Sequence, residues 1–240
     1  MNNEMKELVD KLNLYAYHYY VLDDPIISDK EYDALYDQLV KLERETGTVL
    51  EDSPTRRIGG EPISKFGTHK HIAKLYSLDK VQSKDELKSW YSRLVKSLKG
   101  KEPVLTVEHK LDGLTLCLTY NNGLFVRATT RGNGEVGEDV TQQVRTIKSF
   151  PLRINYEGLI EVQGEGIMRT SVFNEYNKTA TEVLKNPRNA AAGAIRNLDP
   201  KVTAKRNLDI YFYNVNYMEG GQINSQTEMM EFLAKNRFMT

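Results

Sequence analysis

Cysteine is nearly absent: Cys117 is the only one in 240 residues. That excludes an intrachain disulfide and a cysteine-rich zinc site. The four histidines are scattered and supply no convincing metal constellation, so no protein-bound metal is expected. No apolar run approaches the ~18 residues that a membrane-spanning helix needs. The first six residues lack the basic and then apolar pattern of a secretory leader, which makes a cytoplasmic location the expectation. An excess of either charge is missing too, with 33 Lys plus Arg against 33 Asp plus Glu. Zero net charge argues against a surface that grips nucleic acid all over, and leaves room for a local basic face. There is no internal repeat and no low-complexity tract.

What is present suits an ordinary globular protein, at 40% hydrophobic and 28% charged residues. The length allows one large domain, or one domain and a small appendage. Met5, Leu8, Leu12, Tyr15 and Tyr19 recur at helical spacing over residues 5–19. Asp23-Asp24-Pro25 breaks that pattern. Ser28-Asp29-Lys30-Glu31 reads as a capping box opening a second helix, with Leu35, Tyr36, Leu39 and Leu42 on one face. Two helices joined by a short loop predict an αα-hairpin. Loop-like sequence with Pro54, Gly59, Gly60 and Pro62 follows, and a boundary is placed near residues 60–67. This divides the chain into a hairpin subdomain, 1–66, and a larger domain, 67–240.

The period then changes. Residues 104–108 read as a strand. Leu114, Leu116, Leu118 and Tyr120 alternate with Thr115, Cys117 and Thr119, and Asn121-Asn122-Gly123 offers residues that tolerate positive φ before a second alternating strand, 124–130. This predicts a hairpin. A glycine-rich loop at 132–137 leads to a short helix with Val140, Val144 and Ile147 on one face. Residues 158–167 read as a strand with Glu161, Gln163 and Glu165 on one face and Ile160 and Val162 on the other. Asn186-Pro187 looks like an N-cap and first-turn proline opening an Ala-rich helix over 188–198. A strand over 208–217 and a Ser225–Glu228 capping box with a final helix complete the reading. The mixture lacks a regular βαβ alternation, so the expected class is α+β.

Several residues carry chemistry. Lys110 lies between the 104–108 strand and the turn Asp112-Gly113. A nucleophilic lysine must lose its proton at neutral pH, and burial or nearby positive charge would favour that. Glu108, two residues back, would share Lys110's side of a strand. Taken alone, a Lys-x-Asp-Gly pattern is more often a surface lysine before a turn. Arg131-Gly132-Asn133-Gly134-Glu135-Val136-Gly137 contains a literal G-x-G-x-x-G. A Rossmann site is rejected because the preceding strand belongs to an antiparallel hairpin, and Glu138 and Asp139 put negative charge where a pyrophosphate would bind. Arg131 itself is a phosphate or ribose contact, or a solvated turn residue. Glu165, flanked by Gly164 and Gly166, suits two ribose hydroxyls or is an edge-strand glutamate facing water. Arg188 and Arg196, eight apart on the Ala-rich helix, offer two guanidinium groups to phosphates, or a solvated face. Lys65, His69, Lys70, His71 and Lys74 form a basic stretch that touches nucleic acid or is a solvated loop. Tyr15, Tyr17, Tyr19, Tyr20, Asp29, Tyr32 and Asp33 give the hairpin a density of rings and acids suited to a flat cationic ring; the bland alternative is an amphipathic hairpin with capping acids.

In this order the elements resemble the N-terminal part of bacterial NAD-dependent DNA ligases. The resemblance runs from about Leu12 to about Tyr217. It rests on Tyr19-Tyr20-Val21 through Asp29-x-x-Tyr32-Asp33, Asp52-Ser53-Pro54-Thr55, Ser77-Leu78-Asp79, Glu108-x-Lys110-x-Asp112-Gly113, Thr130-Arg131-Gly132-x-Gly134-x-x-Gly137-Glu138-Asp139, Gly164-Glu165 and Asn186-Pro187-Arg188-Asn189-Ala190-Ala191-Ala192-Gly193. It implies a nucleotidyltransferase (ATP-grasp-like, adenylation) domain with antiparallel sheets after the hairpin. By that resemblance Lys110 attacks the adenylyl phosphorus of NAD, releases nicotinamide mononucleotide and passes AMP to a DNA nick, with Mg²⁺ assisting. Glu108 would read the adenine amine and Glu165 the ribose hydroxyls, with Ser77, Leu78 and Arg131 lining the adenylate pocket. Tyr19, Tyr20, Asp29, Tyr32 and Asp33 would hold the nicotinamide mononucleotide half, and Arg188 and Arg196 would contact phosphates or nicked duplex DNA.

There are departures. His109, Asn133, Tyr20 and Gly166-Ile167-Met168-Arg169 differ from the family's usual residues and imply a divergent sequence, of viral origin as one option. The Asp-Gly-x-Val-x-Lys strand and a further lysine motif do not occur before Thr240. Nor do the downstream OB-fold, Cys₄ zinc, helix-hairpin-helix and BRCT modules. This leads to the expectation of an incomplete adenylation domain: one piece of a split ligase completed by a second polypeptide, or a truncated gene product or expression fragment, which would look the same. The rival is a pseudo-ligase that binds NAD or nicked DNA without reacting.

Overall fold

The computed structural model describes residues 2–57 and 63–240. The fold is α+β and contains two compact units, one of Met1–Lys74 with Leu111–Thr240, the other of Leu75–Lys110. In the first unit, helices α1 (Asn2–Tyr20) and α2 (Asp29–Thr46) form the expected hairpin. Met5, Leu8, Val9 and Leu12 pack against Leu39 and Leu42, as the helical spacing requires. Ser28 Oγ accepts the Glu31 amide at 3.3 Å, while the Glu31 carboxylate accepts the Ser28 amide at 2.9 Å. Gly47 ends α2 at φ +65°, a left-handed cap that glycine takes without strain. The following loop is partly regular, with a 3₁₀ turn at Pro54–Arg57. Gly59, Gly60 and Pro62, and with them much of the expected boundary, lie outside the described residues. Arg57 donates to the carbonyls of Ile147 and Phe150, and Arg153 pairs with the buried Asp52. These bonds hold the hairpin's 3₁₀ turn on segment 147–153.

A two-stranded antiparallel sheet joins β1 (Thr68–Lys70) to β4 (Val136–Glu138). The principal sheet is antiparallel too, with β2 (Leu114–Asn121), β3 (Leu124–Thr130), β5 (Leu159–Ile167) and β6 (Asp209–Met218) in the order β3-β2-β5-β6. The β2–β3 connection is the one foreseen: Asn122 and Gly123 take φ of 47° and 80°, the left-handed pair that a two-residue hairpin requires. Leu116, Leu118, Tyr120, Ile160, Val162, Ile210 and Phe212 share one buried cluster with side chains of α4 (Thr141–Arg145), α6 (Pro187–Ile195) and α8 (Gln226–Lys235). The alternate residues, Thr115, Cys117 and Thr119 on β2 with Glu161, Gln163 and Glu165 on β5, give the sheet a polar opposite face.

Some expectations fail. Residues 104–108 form no strand. Val104 and Val107 are 99% and 98% exposed, and among the described residues α3 (Lys84–Ser97) is the only regular element of that unit, so no sheet edge exists within it for a ladder. Helix α3, α5 (Thr170–Thr179) and α7 (Pro200–Lys205) were not anticipated. The Ala-rich helix ends at Ile195, with Arg196 as its C-cap. At α8, Ser225 accepts the Glu228 amide, but the Glu228 carboxylate takes the amide of Asn224 instead of that of Ser225, so the box is only half formed. Among the described residues no helix is long and apolar enough to cross a membrane.

Candidate active site

Glu165 lies in an inner strand, between β2 and β6, and not on an edge facing water. It is half-buried on the polar sheet face and its carboxylate is held from two sides. The Gly113 amide donates to Oε1 at 3.2 Å, and Thr115 Oγ1 donates to Oε2 at 3.0 Å. Next to it, Gln163 donates to Tyr213 Oη at 3.0 Å and accepts from Asn214 at 3.2 Å. Burial pushes the Tyr213 phenol up, and the Glu165 charge adds to this. The glycines around Glu165 serve close backbone approach: a Cβ on Gly164 would lie 2.8 Å from the Tyr211 carbonyl. Thr115, Gln163 and Tyr213 went unnoticed in the sequence, although Thr115 and Gln163 share Glu165's alternation.

On the hairpin four of the tyrosines fall into two pairs. Tyr19 and Tyr20 meet edge-on at 4.8 Å, and Tyr32 stacks near Tyr36 at 6.4 Å. Lys148 Nζ donates to Tyr20 Oη at 3.1 Å and sits 5.1 Å from its ring centroid, so this ring already accepts a cation. Burial pushes the Tyr32 phenol up to about 12, with the neighbouring Tyr20 contributing and Arg57 opposing. Asp29 and Asp33 are exposed, one turn apart at the start of α2. Tyr20 and Tyr32 are therefore electrostatic neighbours, with the two acids and Tyr19 presented to solvent.

Arg131 is half-buried directly after β3, and its carbonyl accepts from His71 Nε2 at 3.0 Å. The glycine loop beyond it joins β3 to β4, with no βαβ unit, which agrees with rejecting a dinucleotide fold. Gly137 needs to lack a side chain, since a Cβ there would meet the Thr130 carbonyl at 1.8 Å. Arg188 pairs with Asp112 at 2.6 Å and Arg196 with Glu138 at 2.9 Å, both at the surface. Such exposed pairs hold weakly and exchange readily for other anions. The basic stretch does not form one face: His71 is buried and Lys74 pairs with Glu135 at 3.0 Å.

Lys110, Glu108, Ser77 and Leu78 belong to the unit 75–110. All four are exposed and lie outside any helix or strand. Because residues 104–108 are not a strand, the expectation that Glu108 and Lys110 share a strand face is not met. Conversely, the structure gathers one of the scattered histidines with the lone cysteine and a carboxylate. His71, Cys117 and Glu161 are buried with their ligating atoms within 4.8 Å of one another. The alternation of β2 and β5 put Cys117 and Glu161 on the polar face, but nothing local linked them to His71.

The family model described as the NAD-dependent DNA ligase adenylation domain matches residues 63–240, and that of the DNA ligase-like, N-terminal NAD+-binding domain matches residues 1–59. A protein named DNA ligase from Alkaliphilus metalliredigens is 56% identical over 98% of this chain and 36% of its own length. Its counterpart from Alkaliphilus oremlandii is 57% identical over the same shares, and one from Clostridium botulinum 50% identical over 96% and 36%. The chain thus spans little more than a third of these relatives. On the strength of both matches, in order and covering most of its residues, the chain belongs to the NAD-dependent DNA ligase family.

Proposed function

We propose that this chain carries the adenylation half of an NAD-dependent DNA ligase. In this reading the neutral Lys110 amine forms an N–P bond to the adenylyl phosphorus of NAD. The bond from that phosphorus to the bridging oxygen breaks, and nicotinamide mononucleotide leaves with the electron pair. AMP then passes to the 5′-phosphate of a nick in duplex DNA, the chemistry used in replication and repair. The observation that carries the proposal is the carboxylate of Glu165, held by the Gly113 amide three residues beyond Lys110 in the chain. A carboxylate oriented by two donors is preorganised to accept from ribose hydroxyls. Glu108 would accept from the adenine amine, and Ser77, Leu78 and Arg131 would line the adenylate pocket.

The hairpin, taken as residues 1–66, would hold the nicotinamide mononucleotide half on Tyr19, Tyr20, Asp29, Tyr32 and Asp33, leaving 67–240 for adenylation. A tyrosine ring that already accepts Lys148 suits a cationic nicotinamide ring. Arg188 and Arg196 would exchange their surface carboxylates for DNA phosphates. Mg²⁺ would neutralise charge developing on the phosphates. It suits an oxygen-rich site and usually binds through waters and substrate phosphates; the single ligating cluster among the described residues is sulfur- and nitrogen-bearing and does not fit it. The reading also includes a cytoplasmic location, and as partners nicked duplex DNA and a second polypeptide.

Intact-mass measurement after incubation with NAD and Mg²⁺, with and without a candidate partner chain, tests the proposal. A covalent AMP adduct with release of nicotinamide mononucleotide supports it. Saturable NAD binding without release in either condition would instead support the binding-only rival, which the catalytic-type names of the relatives disfavour.

A further inference from the structure

Three buried side chains from separate elements converge behind the Arg131 loop. His71 follows β1, Cys117 lies within β2 and Glu161 within β5, at 5%, 0% and 1% exposure. Among the described residues they form the only cluster of three or more such donors. Two of the three are oriented by further bonds. His71 Nε2 donates to the Arg131 carbonyl at 3.0 Å, which keeps the ring proton there and leaves Nδ1 as an acceptor, 3.5 Å from Thr129 Oγ1. Asn216 Nδ2 donates to Glu161 Oε1 at 2.6 Å and to the Ala73 carbonyl at 3.1 Å. A ring N–H bonded to a carbonyl, and a carboxylate bonded to an amide, are the outer contacts that orient ligands around a metal.

We propose that His71, Cys117 and Glu161 bind one borderline-soft divalent cation of the zinc type. The imidazole, sulfur and carboxylate set matches zinc or cobalt(II) and not magnesium or calcium. Bonds of roughly 2.0–2.3 Å to a tetrahedral ion put its ligand atoms about 3.3–3.7 Å apart, so the cluster, now within 4.8 Å, would draw in by up to about 1–1.5 Å. Thr129 Oγ1 or water would take the fourth position. On binding, Cys117 forms a sulfur–metal bond and its thiol proton goes to solvent. The dication also answers a charge problem: a carboxylate as buried as Glu161 is costly, and the hydrogen bond it receives comes from a neutral amide. Burial, then the Glu161 charge, push the Cys117 thiol up, so the metal-free cluster holds a thiol and not a thiolate. An ion here would tie the end of β1 to β2 and β5, and through His71 it would fix the Arg131 carbonyl.

The test uses the 240-residue chain, stripped with chelator and titrated with Co²⁺. The expected result is a thiolate-to-cobalt charge-transfer band with tetrahedral ligand-field bands, saturating at one cobalt per chain. Zn²⁺ should displace it and excess Mg²⁺ should not. Cys117 is the only cysteine, so the band reports on this site alone. His71→Asn and Glu161→Gln should abolish or greatly weaken binding, and Asn216→Ala should weaken it about 10–100-fold. Zn²⁺ should raise the thermal midpoint of the parent chain and not that of Cys117→Ser, a near-isosteric change. Absence of the band in the folded parent overturns the proposal. So does a band of unchanged affinity in both His71→Asn and Glu161→Gln, or an equal Zn²⁺-induced midpoint rise in Cys117→Ser.

Discussion

The Glu165 carboxylate accepts the Gly113 amide at 3.2 Å, so the turn that enters β2 is fastened to the C-terminal part of β5. The same turn admits no side chain at Gly113, where a Cβ would lie 2.2 Å from the Gly166 carbonyl. Gly113→Ala must therefore shift backbone on one strand or the other. Its expected cost is about 2–3 kcal/mol, at the upper end of overpacking effects. Thr115→Val removes one donor to Glu165 and should cost about 1 kcal/mol. Urea denaturation checks both, with Gly113→Ala the more damaging.

Arg57 holds the 3₁₀ turn of the hairpin to the carbonyls of Ile147 and Phe150, and its guanidinium lies 4.8 Å from the centroid of the Phe150 ring. Arg57→Met keeps the stem and strips both donors. It should destabilise the chain by about 2–3 kcal/mol, since two carbonyls lose charged partners. Amide exchange in the 3₁₀ turn should accelerate, as seen by hydrogen–deuterium exchange.

Tyr32 gives a pH-dependent signature. Its folded pKa is about 12 against an ordinary 10. The neutral phenol is thus favoured by folding, and its contribution is fully present below pH 10. It is lost as pH rises from 10 through about 12, where the unfolded phenol ionises first. The phenolate difference spectrum between the parent chain and Tyr32→Phe should show one late-titrating group. The stability advantage of the parent over the variant should shrink across that window.

How much of this was legible depended on whether the signal was local. The hairpin helices were readable because Leu8, Leu12, Leu39 and Leu42 repeat at the helical period and Ser28 caps its own helix. The β2–β3 turn was readable because Asn122-Gly123 takes positive φ cheaply. Glu165 was recognised as a candidate, but its inner position depends on β6, which arrives late in the chain and pairs Tyr211 with it. Residues 104–108 carry Val and Leu suited to a strand, yet a strand also needs a partner edge. Helices α3 and α5 went unread although their apolar residues are as one-sided as those of α2; neither buries a residue outright. Ser83 with Glu86, and Asp199 before Pro200, were start signals that would have revealed α3 and α7. The His71, Cys117 and Glu161 cluster had no sequence signature, because each ligand comes from a different strand region.

Gly193 separates stability from substrate contact. It lies inside α6, exposed, with nothing within 4 Å of where a Cβ would sit. Gly193→Ala should stabilise the chain by about 0.5–1 kcal/mol through helix propensity. If this helix approaches DNA phosphates between Arg188 and Arg196, the added methyl should weaken binding to a nicked duplex. Denaturation and fluorescence anisotropy together check this. A variant with raised stability and unchanged DNA affinity would remove that face from the interface.

On the proposed reading, Lys110 forms the covalent link to AMP. Peptide mapping by tandem mass spectrometry, after incubation with NAD and Mg²⁺ and any candidate partner chain, tests it most directly. The expected result is the AMP mass on the peptide containing Lys110, its absence in Lys110→Ala, and no adduct when ATP replaces NAD. An adduct on another lysine, or one that survives in Lys110→Ala, would contradict it.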